Sequence, residues 1–311
     1  MSAFIELDRL FCFMCQYDGL AFCCTAPQSG HIRLHALCFQ AGAGMSEFEA
    51  RFQPLFEVLS DPEALFHGAD MRDDLLALEP LIPDRAAEAW LFRELAVLEA
   101  KRDELICLEH ADRALAAQAE TRAIDDRALY FMHMQCGDVG TAWKGGPRTE
   151  MHLQRALELH AKLQQPIGEA FFIRLNLGVY NNTVHGPRRA LDAYEPLLAD
   201  AEQHYGADNP ELRRLVGLMG ACYEALGDME KALALGTRSY ELSVPGDDPG
   251  PRVSAMLTFG KLNFRAGRVD EARRILADMI TFADANCTPA TRRFARDETR
   301  NIFPDIADAG I

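Results

Sequence analysis

Apolar positions recur along this chain at the 3.6-residue spacing of amphipathic helices, in runs of about 14 residues parted by breaks that carry glycine or proline. The clearest stretch is residues 215–240, LVGLMGACYEALGDMEKALALGTRSY. In it Gly220 sits in one helical run, Tyr223 follows three residues later, Gly227 marks a turn, and Ala232 lies in a second run. Much of this skeleton returns downstream in LTFGKLNFRAGRVDEARRIL, with Gly260, Gly267 and Ala272. It returns upstream in RLNLGVYNNTVHGPRRALDAYEPLL, with Gly178, Gly186 and Ala190.

Two weaker copies precede these. Around Cys136, ALYFMHMQCGDVGTAW is followed by the turn KGGP and then TEMHLQRALELHAKL; around Leu95, AEAWLFRELAVLEA meets the break KRD and then ELICLEHADRALAAQ. Taking Leu95, Cys136, Gly178, Gly220 and Gly260 as equivalent gives spacings of 41, 42, 42 and 40 residues. The physical sense is close approach of paired helices. Gly178, Gly220 and Gly260, set against Ala190, Ala232 and Ala272, remove side-chain bulk where two antiparallel helices meet, and larger residues fill the space between them. Helix starts are marked as well. Asp208-Asn209-Pro210-Glu211 offers polar caps, a proline where a first-turn amide has no intrahelical acceptor, and an acid at the positive end of the helix dipole. Gly186-Pro187 and Thr288-Pro289 repeat part of this.

On these motifs residues 86–284 resemble tetratricopeptide repeats. The lead-in Tyr205-Gly206-Ala207-Asp208-Asn209-Pro210 is similar to the longer, roughly 42-residue variety of kinesin light chain-like proteins. The three copies after residue 170 match well and the two before match weakly. The resemblance implies an all-α fold, a right-handed superhelical solenoid of about five antiparallel helix pairs, whose first helices line a concave face used to bind peptides or partner proteins. Residues 1–85 then form an N-terminal, cysteine-rich, partly helical capping segment, and residues 285–311 a C-terminal capping helix and tail.

If each first helix faces inward, its period selects a groove lining: Arg93 (with Glu99), then Tyr130, His133 and Met134, then Phe172, Asn176 and Asn182, then Arg214 with Glu224, then Lys261, Phe264 and Arg265. Arg214, Lys261 and Arg265 make the C-terminal part relatively basic, which favours an acidic segment or a free chain carboxylate as partner. An asparagine amide offers a donor and an acceptor to a peptide backbone, although Asn176 and Asn182 lie about 120° apart around a helix. Some relatives grip a terminal carboxylate with a fixed set of lysines and asparagines. Val179 stands where a polar amide would be wanted, so that clamp is not carried over.

The first eighty residues do not follow the repeat. Residues 2–14 read as a short helix; GLAFCCTAP and HIRLHAL flank the turn PQSG and allow a small β-hairpin; helices start near Ser46 and Asp70. Cys12, Cys15, His31 and His35 have a spacing near that of a zinc finger, and two thiolates with two imidazoles satisfy a tetrahedral zinc ion. Cys12 and Cys15, however, lie in an apolar helical run without the glycine or polar residues of a knuckle turn, which favours core thiols. No cofactor or metal is expected.

The sequence of 311 residues is 49 % hydrophobic, enough for a large core, and its net charge of −15 disfavours a nucleic-acid partner. No uncharged apolar run of about 18 residues exists to span a bilayer. The first ten residues carry Glu6 and Asp8 and no basic leader, so a cytoplasmic location is expected. No phosphate loop, nucleophile elbow, dinucleotide fingerprint or His-Glu-x-x-His is present. The expected function is therefore a protein- or peptide-binding scaffold, adaptor or regulatory sensor rather than an enzyme. The alternative is an enzyme or metal-dependent regulator that uses the N-terminal Cys/His-rich segment. That segment could also cap the stack or form a homodimer contact.

Overall fold

The computed structural model describes residues 46–59, 71–102, 105–143, 146–165, 167–243 and 249–307. Among the described residues all regular structure is helical, and consecutive helices pack as neighbours. In chain order they are α1 (Glu47–Leu59), α2 (Met71–Leu76), α3 (Arg85–Lys101), α4 (Ile106–Thr121), α5 (Asp126–Trp143), α6 (Pro147–Leu163) and α7 (Ile167–His185). Then come α8 (Pro187–Tyr205), α9 (Arg213–Ala225), α10 (Met229–Leu242), α11 (Gly250–Arg265), α12 (Val269–Asn286), α13 (Pro289–Arg300) and α14 (Pro304–Ala307). The described residues divide into two compact units, one through Tyr180 and one from Asn181 onward. The N-terminal hairpin expected around residues 20–37 lies outside the described residues.

In the first unit α3 pairs with α4 and α5 with α6. Helix α1 begins on a reciprocal cap, in which the Glu49 amide donates to Ser46 Oγ and the Ser46 amide to Glu49 Oε2, 3.2 and 2.6 Å. Its Phe48, Phe52 and Phe56 are all buried, and the Phe56 ring meets Trp90 of α3 edge-on with centroids 5.4 Å apart. The indole N–H of Trp90 donates to the Ala123 carbonyl at 3.2 Å, so this large residue is buried with its polar atom satisfied.

In the second unit α9 pairs with α10 and α11 with α12. Their two connections are built alike. Gly227 and Gly267 adopt φ of +84° and +77°, a left-handed conformation that costs glycine little. Beyond them the Asp228 amide donates to the Tyr223 carbonyl and the Arg268 amide to the Asn263 carbonyl, both at 2.9 Å, closing the two helices in the same way. The next helix is capped in one copy alone, where the Asp228 carboxylate accepts from the Lys231 amide at 3.2 Å; Arg268 makes no side-chain cap. Asp228→Ala should therefore lower the urea unfolding midpoint. Arg268→Asp, which installs the same cap, should raise it.

Close approach occurs at the glycines. A Cβ on Gly260 would lie 2.7 Å from Leu276 Cδ2, and one on Gly220 would lie 3.4 Å from the Ala232 carbonyl oxygen. Ala190, Ala232 and Ala272 are completely buried. In the α5–α6 pair the position that meets the second helix is Gly137, whose Cβ would lie 2.7 Å from Leu153 Cδ2. Leu153 follows Gly137 by sixteen residues, as Leu276 follows Gly260 and Gly236 follows Gly220. The repeat register in this copy is thus set by Gly137, one residue after the Cys136 assumed from sequence. Cys136 and the glycine are both small, and only the packing partner distinguishes them.

Candidate functional site

The face of each first helix that turns away from its second helix is the surface on which the expected binding residues would act. In the first unit α3 offers little of it. Every residue from Ala89 to Ala100 is buried except Arg93. Arg93 pairs with Glu94 at 2.5 Å, donates to the Ala128 carbonyl at 3.3 Å and lies 5.8 Å from the Phe131 ring centroid. Glu99 is completely buried and bonded by Arg72 of α2, so it is covered by the chain itself.

The one-residue shift on α5 moves its exposed stripe by about 100°. Tyr130 and His133, at 4 % and 2 % exposure, point into the core and have almost no surface to offer. Phe131, Met134 and Asp138 hold the exposed or half-exposed positions instead. His133 meets His152 of α6, with their Nδ1 atoms 2.9 Å apart, so one imidazole donates to the other. Burial pushes both down, His133 to about 3 and His152 to about 4, helped by Arg155 near the first and Arg148 near the second. Both rings are therefore neutral at pH 7. On α7, Phe172 is half-exposed, and Asn176 one turn later is buried and donates through Nδ2 to Asp138 Oδ1 at 2.7 Å. Asn176 and Arg93 stand two residues before Gly178 and Leu95, so the same repeat position reaches across to the neighbouring first helix in both cases. The Asn176 bond joins the α5 and α7 stripes edge to edge.

In the second unit, Asn182 at the end of α7 is half-buried and accepts from the Cys222 thiol of α9 at 3.8 Å. Asn176 and Asn182 thus serve different partners, in keeping with their separation around the helix. Arg214 is half-buried in the first turn of α9. Arg265 Nη1 on α11 bonds Glu224 on α9, and Lys261 Nζ bonds Glu298 Oε2 on α13 at 2.5 Å. The carboxylate of Glu298, 37 residues from Lys261, has no signal in the spacing of the repeat. Of the three cations expected in this part of the groove, Lys261 and Arg265 thus face an acid. Phe264 lies between them in sequence and is 41 % exposed, its ring edge-on to Phe303 with centroids 5.5 Å apart.

What these faces can do is recognise. They present fixed donors, acceptors and apolar rings, and among the described residues no cluster of three or more His, Cys, Asp or Glu side chains could hold a metal ion. Cys12, Cys15, His31 and His35 lie outside the described residues. No described helix is long and apolar enough to cross a membrane.

No protein-family model matches the sequence, and no curated protein matches it. Solved structures do match in fold. RapI in its apo form superposes with a TM-score of 0.63 at 12 % identity, over 83 % of this chain and 73 % of that one. The apo form of the quorum sensor NprR from B. thuringiensis gives 0.62 at 12 % identity, over the same shares of the two chains. NprR in complex with its cognate peptide NprX gives 0.54 at 13 % identity, over 84 % of this chain and 74 % of that one. At such identities the likeness is one of fold. Taken with the helix pairs, the glycine contacts and the repeated turns, it shows that this chain folds as a tetratricopeptide-like repeat protein.

Proposed function

We propose that this chain is a regulatory sensor or adaptor that binds a peptide or short protein segment on the exposed faces of its first helices. The observation that carries this reading is the set of aromatic and apolar side chains that keep solvent-accessible surface there: half-buried Phe131, Met134 and Phe172 in the first unit and exposed Phe264 in the second. Met134 stands one turn from Asp138 and Phe172 one turn from Asn176, which bond each other, and Phe264 adjoins Arg265, which Glu224 holds. Rings that can anchor a side chain, bordered by oriented donors and acceptors, are what a bound segment needs. NprR, whose fold this chain shares, is seen with a bound peptide, which supports the same use here. A cytoplasmic setting agrees with the four described cysteines, Cys107, Cys136, Cys222 and Cys287, all of which are buried thiols outside any disulfide among the described residues.

The full chain, panned against displayed random peptides, should enrich binders whose synthetic versions give micromolar or tighter Kd by calorimetry. Met134→Glu or Phe264→Glu should weaken at least one of them by about tenfold, the value of one buried anchor. Failure to enrich any peptide, or binding untouched by both substitutions, would count decisively against the reading.

A further inference from the structure

The cations singled out in the second unit are not equivalent, and the difference points to the chemistry of what binds there. The Lys261 side chain is 17 % exposed and its partner Glu298 19 %, so this pair closes on itself and ties α11 to α13. Arg265 is different. Its side chain is 38 % exposed while that of Glu224 is 12 % exposed, so the solvent side of this pair is the cation. A guanidinium carries five N–H donors in a fixed fork. Among the described residues only Nη1 of Arg265 is engaged, by Glu224 Oε1. Donors remain for a second carboxylate without breaking the first bond, and Glu224 holds the fork in place.

The residue just before it, Phe264, is exposed, and its contact with buried Phe303 fixes its orientation. One opposing effect lies at hand. Both residues belong to the last turn of α11, where the helix dipole disfavours an incoming anion. The final carbonyls are already occupied, those of Leu262, Asn263 and Phe264 by the amides of Ala266, Arg268 and Gly267. At an exposed terminus the dipole changes affinity by about fivefold at most, whereas a charge-assisted bond to arginine is worth about tenfold or more. Attraction to the guanidinium therefore wins.

We infer that Arg265 and Phe264 form the specificity-determining pair of the second unit, taking a peptide segment in which a carboxylate, of a side chain or of the chain end, adjoins an apolar side chain. This rests on the peptide-binding reading above. Lys261, in this assignment, is a structural tie and does not select the ligand.

The experiment uses the full chain and peptides enriched from a random display library, followed by calorimetry with the synthetic consensus. Expected is a consensus in which aspartate, glutamate or the free C-terminus neighbours leucine, isoleucine, methionine or an aromatic residue. Arg265→Ala and Phe264→Ala should each weaken its binding about tenfold or more, and amidation of the peptide carboxylate should do the same to the wild type. Lys261→Met should leave binding within about threefold. Arg265→Lys keeps the charge but not the fork and should recover little, provided far-ultraviolet dichroism and melting match the wild type. Peptides that bind well but show no acid-apolar pair, or that bind Arg265→Ala as tightly as the wild type, overturn this assignment and leave peptide binding standing. Absence of any enriched peptide removes the broader reading and this one with it.

Discussion

Acidification from about pH 7 to about pH 4.5 should lower the unfolding free energy by an amount on the order of 3–5 kcal/mol, because His133 and His152 are buried as a neutral pair. The sign follows from proton binding. Unfolded, each imidazole takes its proton near 6.5, whereas in the fold His133 waits until about 3 and His152 until about 4. Between those values the unfolded chain binds more protons, so stability is complete above about pH 6.5 and falls as the pH drops toward the folded values. The cause is chiefly desolvation: a cation would be placed among apolar side chains, and repulsion adds to it, from His152 and Arg155 on His133 and from Arg148 on His152. Among the described residues His152 Nε2 has no hydrogen-bond partner, so none of them offers it an acceptor to stabilise the charged form. Urea midpoints followed by circular dichroism at pH 7, 6, 5 and 4.5 would read this directly. The double variant His133→Leu, His152→Leu should flatten the profile in that window, since replacing both partners leaves no orphaned group. A wild-type profile already flat down to pH 4.5 would mean the pair is hydrated.

Gly260→Val should lose about 3 kcal/mol or more, while Gly220→Ala should be neutral or gain up to about 1 kcal/mol, although the two glycines occupy the same place in successive repeats. At Gly260 even a Cβ lies 2.7 Å from Leu276 Cδ2 and 2.8 Å from its Cγ, so the branched side chain of valine must push a whole leucine out of a filled core. At Gly220 nothing stands closer to a new Cβ than 3.4 Å, which is ordinary contact, and alanine then adds only its better helix propensity. Chemical denaturation of the two variants tests both signs together. A small loss in Gly260→Val would show that the helix pair relaxes around the added side chain, and a large one in Gly220→Ala that its site is as tightly packed.

Much of the architecture is legible in the chain before any coordinate is considered. The pairing of small residues across helices and the glycines at the turns repeat at nearly constant spacing, because every pair must satisfy the same two constraints: close approach and a left-handed turn. Gly220 with Ala232, and Gly227 between them, express both within about a dozen residues. The exposed faces of the first helices were legible less far. Neighbouring positions on a helix differ by about 100°, so reading Cys136 for Gly137 is enough to exchange half-exposed Phe131 and Met134 for Tyr130 and His133 in the core.

The sequence by itself determined that this is an all-helical repeat protein, since periodicity, packing glycines and turn signals are local and recur. It also determined which helices come first in each pair. Only the tertiary structure decided which of the polar residues on those helices remain available. Lys261 is taken up by Glu298, Asn176 by Asp138 and Glu99 by Arg72, while Arg265 keeps donors to spare. Those partners lie 27 to 38 residues away. Whether a charge or amide is engaged depends on contacts between helices, which a spacing within one helix does not encode.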